Sequence, residues 1–161
     1  MIIREAEKAD AESIINININ GWLETYHGIF PNDVLKKLEQ KKSESIEKCK
    51  NKISEYIVCE MENKVVGFLR YGKNKKNYND KYAEVYAIYI DSKYKKRGIG
   101  RNLLEYSFNK LKDTYDNVLI STIQENSATK FYEKCGGKKI GICCFKLDNK
   151  EYQENLYLFD L

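Results

Sequence analysis

The spacing of apolar residues predicts an alternation of helices and strands along the 161-residue chain. Asp10 is the predicted N-cap of a first helix. Within it, residues 14–26 place their apolar side chains on one helical face, with only Ile17 outside that face. Part of this segment also alternates like a strand, so we favour the helix for its length. Pro31 suits the start of a short second helix, and residues 43–53 resemble a third, polar helix.

Strand-like runs fill most of the remaining chain, at residues 2–4, 56–61, 64–71, 83–90, 118–123, 140–147 and 151–161. Glu62-Asn63 and Asp148-Asn149 are the predicted turns of two hairpins. A helix is expected over about 99–113, and a shorter helix follows with Asn126 or Ser127 as its cap.

The strand–helix–strand unit over residues 83–123 sets the expected topology of the sheet. Two strands joined through a helix lie parallel, with a right-handed crossover. Ligands of such sheets bind outside the carboxyl ends of the strands. We therefore expect a mixed α/β domain whose site lies after the strand at 83–90.

Composition and charge agree with one ordinary globular domain over residues 1–161. No apolar run approaches the roughly 20 residues of a membrane helix, and the N-terminus lacks a signal-peptide pattern, so we expect a cytoplasmic protein without membrane association. Five cysteines form no C-x-x-C pair, which indicates reduced thiols. His27 is the single histidine, so a zinc site built on several histidines is excluded and no metal is expected.

A basic segment with two glycines separates the strand at 83–90 from the following helix. Five of the nine residues from Lys93 to Arg101 are Lys or Arg, and one residue separates Gly98 from Gly100. Glycine lets the backbone approach a ligand, and a helix N-terminus presents unpaired N–H groups and a partial positive charge. The segment therefore favours a phosphate-like anion, although a solvated basic loop has the same composition. The net charge of +4 favours a small polyanionic ligand over nucleic acid.

Three segments of the chain resemble motifs of the GCN5-related N-acetyltransferase (GNAT) superfamily and follow one another as they do in that family, and a fourth segment resembles it more weakly. Residues 95–100 resemble its central Arg/Gln-x-x-Gly-x-Gly/Ala motif, with Lys95 at the first position, and residues 83–90 resemble the preceding strand. Residues 128–137, Ala-Thr-Lys-Phe-Tyr-Glu-Lys-Cys-Gly-Gly, resemble the family's A-x-x-F-Y-E-K-x-G signature. Residues 22–31 resemble a W-x-x-T-Y-x-G-x-x-P segment of bacterial acetyltransferases with unassigned substrate.

The resemblance implies an acyl-CoA N-acyltransferase fold over the whole chain. Its central sheet would be mostly antiparallel, with one splayed parallel strand pair and helices on both faces. Acetyl-CoA would be the donor, with its pyrophosphate on main-chain amides after the strand and its pantetheine arm along the strand end. Glu125 occupies the position where the family usually has an Asn that contacts the pantetheine arm. Asn126, one residue further along the chain, is therefore the candidate for that contact. The implied cofactor-binding residues are Ile88, Tyr89, Ile90, Lys95, Lys96, Arg97, Gly98, Ile99, Gly100, Arg101 and Asn126.

The resemblance also implies catalytic roles for two residues. Tyr132 would protonate or hydrogen-bond the departing thiolate, and the alternative is a core aromatic next to Phe131. Glu84 would take the proton of the acceptor amine directly or through water, and the alternative is a strand carboxylate paired with Lys or Arg on an exposed face. Tyr26 and His27 are rival bases.

The acceptor pocket of this fold would be walled by the segment after the first helix, so the substrate-binding candidates are Trp22, Tyr26, His27 and Phe30. Aromatic faces could hold a cationic amine, whereas core packing is the alternative for Trp22. The acceptor itself stays open between a small-molecule amine and a protein N-terminus or lysine. In this family the last strands often form a dimer interface, so the resemblance also allows a homodimer.

Three functions of different classes remain at this point. The leading hypothesis is an acetyl-CoA-dependent N-acetyltransferase that works by direct transfer in a ternary complex. The first alternative is a non-catalytic acyl-CoA-binding sensor, against which Tyr132 and Glu84 argue. The second is a basic nucleic-acid-binding protein. The helix after Gly100 lacks the continuous basic face of a groove-reading helix, so no nucleic-acid partner is expected.

Overall fold

The computed structural model describes residues 1–76 and 78–161, which form five α-helices and seven strands. The helices are α1 (Ala11–Tyr26), α2 (Asn32–Gln40), α3 (Lys42–Asn51), α4 (Ile99–Leu111) and α5 (Thr129–Lys134). The strands are β1 (Ile2–Glu5), β2 (Tyr56–Met61), β3 (Lys64–Lys73), β4 (Tyr82–Ile90), β5 (Asn117–Ile123), β6 (Lys138–Leu147) and β7 (Lys150–Asp160). Within these described ranges, no helix has the length and apolarity needed to cross a membrane.

The strands form one mixed sheet in the order β1-β2-β3-β4-β5-β7-β6. β4 and β5 pair in parallel, with Ala83 opposite Val118, whereas the β1–β2, β2–β3, β5–β7 and β6–β7 pairs are antiparallel. The predicted hairpin turns are confirmed, because Glu62, Asn63 and Asp148 have the positive φ angles of 52°, 58° and 52° that tight turns use. The expected mixed sheet with a parallel strand pair is therefore confirmed.

The chain divides into two compact units, one of residues 1–70 and 87–107 and the other of residues 71–86 and 108–161. In the first unit, α1 contributes its isoleucines to a cluster that includes Val58 and Phe68. The prediction that Ile17 lies off the buried face is wrong, since only 7% of its surface is exposed. The cluster takes α1 side chains from a wide arc of the helix, so the buried face is broader than the sequence pattern indicates.

Asp10 is the N-cap residue of α1, as predicted, but its side chain makes no capping hydrogen bond to that helix and it also ends a short 3-10 turn, Lys8–Asp10. Its carboxylate accepts a hydrogen bond from the backbone N–H of Glu7 at 2.8 Å and two from the Arg4 guanidinium at 2.7 and 3.0 Å. Arg4 also donates to Glu60 of β2. The carboxylate therefore joins the start of the chain to the β1–β2 pair instead of capping α1.

In the second unit, the central residues of β5 are buried, as its apolar run predicts. After α5 the chain turns at Gly136, whose φ is 95°, and the backbone N–H of Gly137 donates to the Tyr132 carbonyl at 2.9 Å. A Cβ atom at position 137 would lie 2.6 Å from Cζ of Phe159. Glycine at position 137 thus lets the end of α5 pack against β7.

Candidate active site

The segment between β4 and α4 forms a turn with two residues in the left-handed region. Asp91 accepts a hydrogen bond from the backbone N–H of Lys93 at 3.0 Å, which fixes the 3-10 turn Ser92–Tyr94. Lys96 and Gly98 then have φ angles of 63° and 79°. Left-handed residues turn successive N–H groups toward one side and so form an anion-binding concavity. Helix α4 starts immediately afterwards and adds the unpaired amides of its first turn.

The surface over this turn is open and positively charged. A Cβ atom at Gly98 would meet no atom within 4 Å, so nothing in the described chain covers that position. Lys95 pairs with Glu24 of α1 at 2.6 Å, and this hydrogen bond holds the pKa of the Glu24 carboxyl below its usual range despite opposition from burial. Arg97 lies over the Tyr94 ring at 5.2 Å. The residues present therefore suit a phosphate group.

The carboxyl-terminal half of β4 passes close to two glycines of the first unit. A Cβ atom at Gly67 of β3 would lie 3.2 Å from the Tyr89 carbonyl oxygen, and one at Gly21 of α1 would lie 2.3 Å from Cδ1 of Tyr89. A small cavity lies next to this contact, lined by Ile17, Asn20, Gly21, Leu23 and Glu24 of α1 and by residues 90–92. The sequence did not predict this cavity, since Gly21 looked like an ordinary helical residue.

The four acceptor-site candidates divide into buried and accessible residues. Tyr26 stacks on Phe30 with ring centroids 4.5 Å apart, and both side chains are buried. Trp22 is half-buried and contacts Tyr26 edge-on at 4.9 Å. His27 is exposed at the end of α1. Core packing therefore accounts for Tyr26 and Phe30, whereas Trp22 and His27 have surface available to another molecule.

In the second unit, Glu84 is only 6% exposed, so the alternative of a carboxylate on an exposed face is wrong. Its Oε2 accepts a hydrogen bond from the backbone N–H of Lys75 at 2.8 Å, and its Oε1 lies 3.7 Å from the Lys76 ammonium. The same ammonium lies 3.6 Å from Oε2 of Glu154 on β7. The same alternative also expected a Lys or Arg partner for Glu84, and Lys76 is such a partner.

The surroundings of Lys76 favour its charged form. Burial opposes the charge, but Cys143, Glu154 and Glu84 together raise the pKa of the Lys76 ammonium above its ordinary value. Cys143 donates through sulfur to Glu154 at 3.5 Å, and burial raises the pKa of its thiol, so the thiol is neutral near neutral pH. The two carboxylates therefore supply the attraction at that pH. Sequence reasoning missed Lys76 and Glu154, because both lie in mostly polar stretches of the sequence.

Tyr132 and Asn126, the two candidates near α5, also belong to the second unit. The Tyr132 side chain is buried, and its ring lies 5.3 Å from that of Phe131 and 5.8 Å from that of Tyr157. Asn126 accepts a hydrogen bond from the backbone N–H of Ala128 at 2.9 Å through its side-chain oxygen. Asn126 thus stabilises the turn before α5, and its side-chain NH2 group is not part of that bond.

The fold is that of an acetyltransferase domain, and comparison with known families identifies its class. Residues 52–136, more than half of the chain, match the model of the acetyltransferase (GNAT) domain. The chain therefore belongs to the GNAT family and is an N-acetyltransferase. The resemblance seen in its sequence motifs is confirmed.

Individual relatives agree with this assignment. The chain is 25% identical over 153 residues to the uncharacterized N-acetyltransferase YuaI of Bacillus subtilis (strain 168), which covers 94% of this chain and 88% of that protein. It resembles the crystal structure of a ribosomal-protein-alanine N-acetyltransferase from Brucella melitensis, with a TM-score of 0.76, 20% identity and 100% of both chains covered. It also resembles a PaiA N-acetyltransferase from Thermoplasma acidophilum solved with coenzyme A, with a TM-score of 0.72, 21% identity and 96% of both chains covered.

Proposed function

We propose that the chain transfers the acetyl group of acetyl-CoA to a primary amine by direct transfer in a ternary complex. The observation that carries this proposal is the turn before α4, where Lys96 and Gly98 both have positive φ within a run of exposed cations. Such a turn suits the pyrophosphate of a CoA ester. A structural relative solved with coenzyme A supports the same donor.

The residues proposed to hold the donor act mainly through the backbone. The amides of Lys96, Gly98, Gly100 and Arg101 would bind the pyrophosphate, with Ile99 between them and the side chains of Lys95 and Arg97 adding positive charge. The backbone of residues 88–90 would pair with the pantetheine arm like an added strand. The side-chain NH2 group of Asn126 remains a candidate for the same arm.

Two side chains are proposed to move protons. When bound, acetyl-CoA supplies an acetyl group that is activated as a thioester. Only a free amine attacks it, so Glu84 takes the ammonium proton directly or through one water molecule. Tyr132 donates its phenolic proton, or a hydrogen bond, to the sulfur that leaves. The burial of both side chains supports these roles, because proton transfer is best controlled where bulk water is excluded.

We propose that the acceptor is a primary amine of a small molecule, a protein N-terminus or a lysine, and that it approaches Trp22 and His27. The partial exposure of Trp22 supports this placement, because an indole face attracts ammonium groups. Tyr26 and Phe30 would support Trp22 from behind. The five cysteines are free, which suits a reducing compartment, and we propose a cytoplasmic location.

The donor site is tested by calorimetry with CoA on Gly98→Asp. The added carboxylate would lie where the pyrophosphate binds, so we expect CoA affinity to fall at least tenfold. Gly28→Asp is the matched control, since Gly28 also has a positive φ, 84°, and a Cβ atom added there would likewise meet no atom within 4 Å. It carries the same strain and charge but should keep the parental affinity. Equal affinity of folded Gly98→Asp and its control would reject the site.

Turnover is tested by following release of the CoA thiol from acetyl-CoA in the presence of a panel of amines. The panel should include monoamines, polyamines, amino acids and short peptides with free N-termini. Amine-dependent release is expected with at least one class. Tight CoA binding without amine-dependent release from any of them would support an acyl-CoA sensor instead.

A further inference from the structure

Three charged groups from separate segments meet in the second unit around the proposed base. The Lys76 ammonium lies 3.7 Å from Glu84 and 3.6 Å from Glu154. The side chains of Glu84, Glu154 and Lys76 are 8%, 11% and 23% exposed, so water screens this ion pair much less than one at the surface. Lys76 comes from the β3–β4 connection, Glu84 from β4 and Glu154 from β7.

We infer that Lys76 is a positioning residue that holds the Glu84 carboxylate in the orientation needed for proton transfer, with Glu154 holding the ammonium from its other side. This inference rests on the proposed role of Glu84 as the base. It adds to that role two residues that no family motif in the sequence includes.

The two oxygens of Glu84 have different partners, which suits a base. Oε2 is fixed by the backbone N–H of Lys75 at 2.8 Å. Oε1 faces the Lys76 ammonium at 3.7 Å, which is too long for a hydrogen bond but close enough for strong Coulomb attraction. The ammonium thus attracts the Glu84 carboxylate without making a direct hydrogen bond to Oε1.

Other titratable groups lie close to the cluster. The Lys75 ammonium lies 3.8 Å from the centre of the Tyr86 ring. Cys143 contacts Glu154, and its thiol is neutral near neutral pH because burial raises its pKa. Removal of the Lys76 ammonium would leave the carboxylates of Glu84 and Glu154 without the cation that they share. Like charges repel each other, so we expect the Glu84 carboxylate to leave its position in that state.

The test compares Lys76→Met with Lys76→Arg, which restores the charge, and with Lys73→Met as the matched control. Lys73 is in the same part of the chain but is 71% exposed and pairs with Asp80. CoA release is followed from about pH 5 to pH 9 with acetyl-CoA and the fastest amine of the panel. We expect kcat to fall about tenfold or more in Lys76→Met alone, with KM for acetyl-CoA unchanged. Arginine should keep most of the parental kcat.

A second measurement does not depend on turnover. Protein labelled with ¹³C at glutamate side-chain carboxyls gives a Glu84 resonance, identified by its loss in Glu84→Gln, whose chemical shift in NMR spectra reports the surroundings of the carboxylate. We expect that resonance to move in Lys76→Met and to stay in place in Lys73→Met. An unchanged Glu84 resonance in a folded Lys76→Met protein would overturn the inference.

The two proposals fail in different ways. If Glu84→Gln keeps the parental pH–rate profile, Glu84 is not the base and the proposed mechanism is rejected, whatever the NMR spectra show. If Glu84→Gln loses the acidic limb but Lys76→Met keeps the parental kcat, the base role stands and the role of Lys76 is rejected.

Discussion

Gly21 in the middle of α1 provides a sharp test of how this helix packs on β4. Alanine is the better helix former, so Gly→Ala inside an exposed helix stabilises a protein by about 1 kcal/mol. Here, however, the new Cβ atom would lie 2.3 Å from Cδ1 and 2.9 Å from Cγ of Tyr89. Carbon atoms in contact prefer about 3.5–4.0 Å, so the ring or the helix must move by more than about 1 Å.

Comparing these two effects gives the expected sign of the change in the free energy of unfolding. Forcing an extra methyl group into a packed site costs about 1–3 kcal/mol, which equals or exceeds the gain in helix propensity. The Tyr89 ring is half-buried and lies 6.0 Å from the Phe68 ring in the cluster around α1, so it cannot simply rotate into water. We expect Gly21→Ala to lower the free energy of unfolding by up to about 2 kcal/mol, the difference between the two effects.

A double-mutant cycle separates the two effects. In a Tyr89→Ala background the obstacle is gone, so Gly21→Ala should now stabilise the protein by up to about 1 kcal/mol. In a Tyr89→Phe background the ring remains, and the destabilisation should persist. Urea unfolding measures each variant, and the coupling energy should exceed the roughly 0.5 kcal/mol seen between independent sites. If Gly21→Ala stabilises the parent protein as much as the Tyr89→Ala variant, the ring does not press on α1 and the reasoning is wrong.

Two further predictions concern catalysis and acid stability. Tyr132→Phe keeps the ring but removes the hydroxyl, so kcat should fall about a hundredfold or more with CoA affinity unchanged in calorimetry, and full activity would leave Tyr132 a packing residue. Burial opposes ionisation of Asp10 most strongly, but hydrogen bonds from Arg4 and Glu7 outweigh it and lower the pKa of Asp10. This stabilisation is present above about pH 4 and is lost as the pH falls through the folded-state pKa, so urea midpoints of Asp10→Asn should depend less on pH there than those of the parent.

The elements of the fold were predictable because their signals are local. Apolar periodicity located the helices and strands, and the turn residues at 62–63 and 148–149 marked both hairpins. Asp10 shows the limit of local rules, since the N-cap position was predicted correctly but the Asp10 carboxylate binds Arg4 instead of the first turn of α1. Ile17 shows a second failure, because a helix buried over a wide arc leaves no clear polar face in the sequence.

The candidate site was predictable only where it lies within one segment. The turn before α4 combines its glycines, its charges and the helix start in a few consecutive residues, so the sequence shows all of it. The partners of Glu84 come from a polar connection and from the last strand, and nothing in their local sequence links them. From the sequence, Lys76 looks like a solvated lysine. In the sheet, β5 pairs with β4 on one side and with β7 on the other. This strand order brings Glu84 and Glu154 to the same lysine.

The charge of the Glu84 cluster argues that stability alone does not explain it. The cluster sets two carboxylates against one ammonium, and the two carboxylates are almost fully buried. Ionic groups of this kind often contribute no more to stability than apolar residues of the same volume would, because desolvation cancels most of their attraction. A carboxylate that is buried, held by a lysine and left with an oxygen that makes no direct hydrogen bond to that lysine is instead suited to proton abstraction from an amine. The same cluster therefore supports the proposed base and indicates why a lysine in the β3–β4 connection accompanies it.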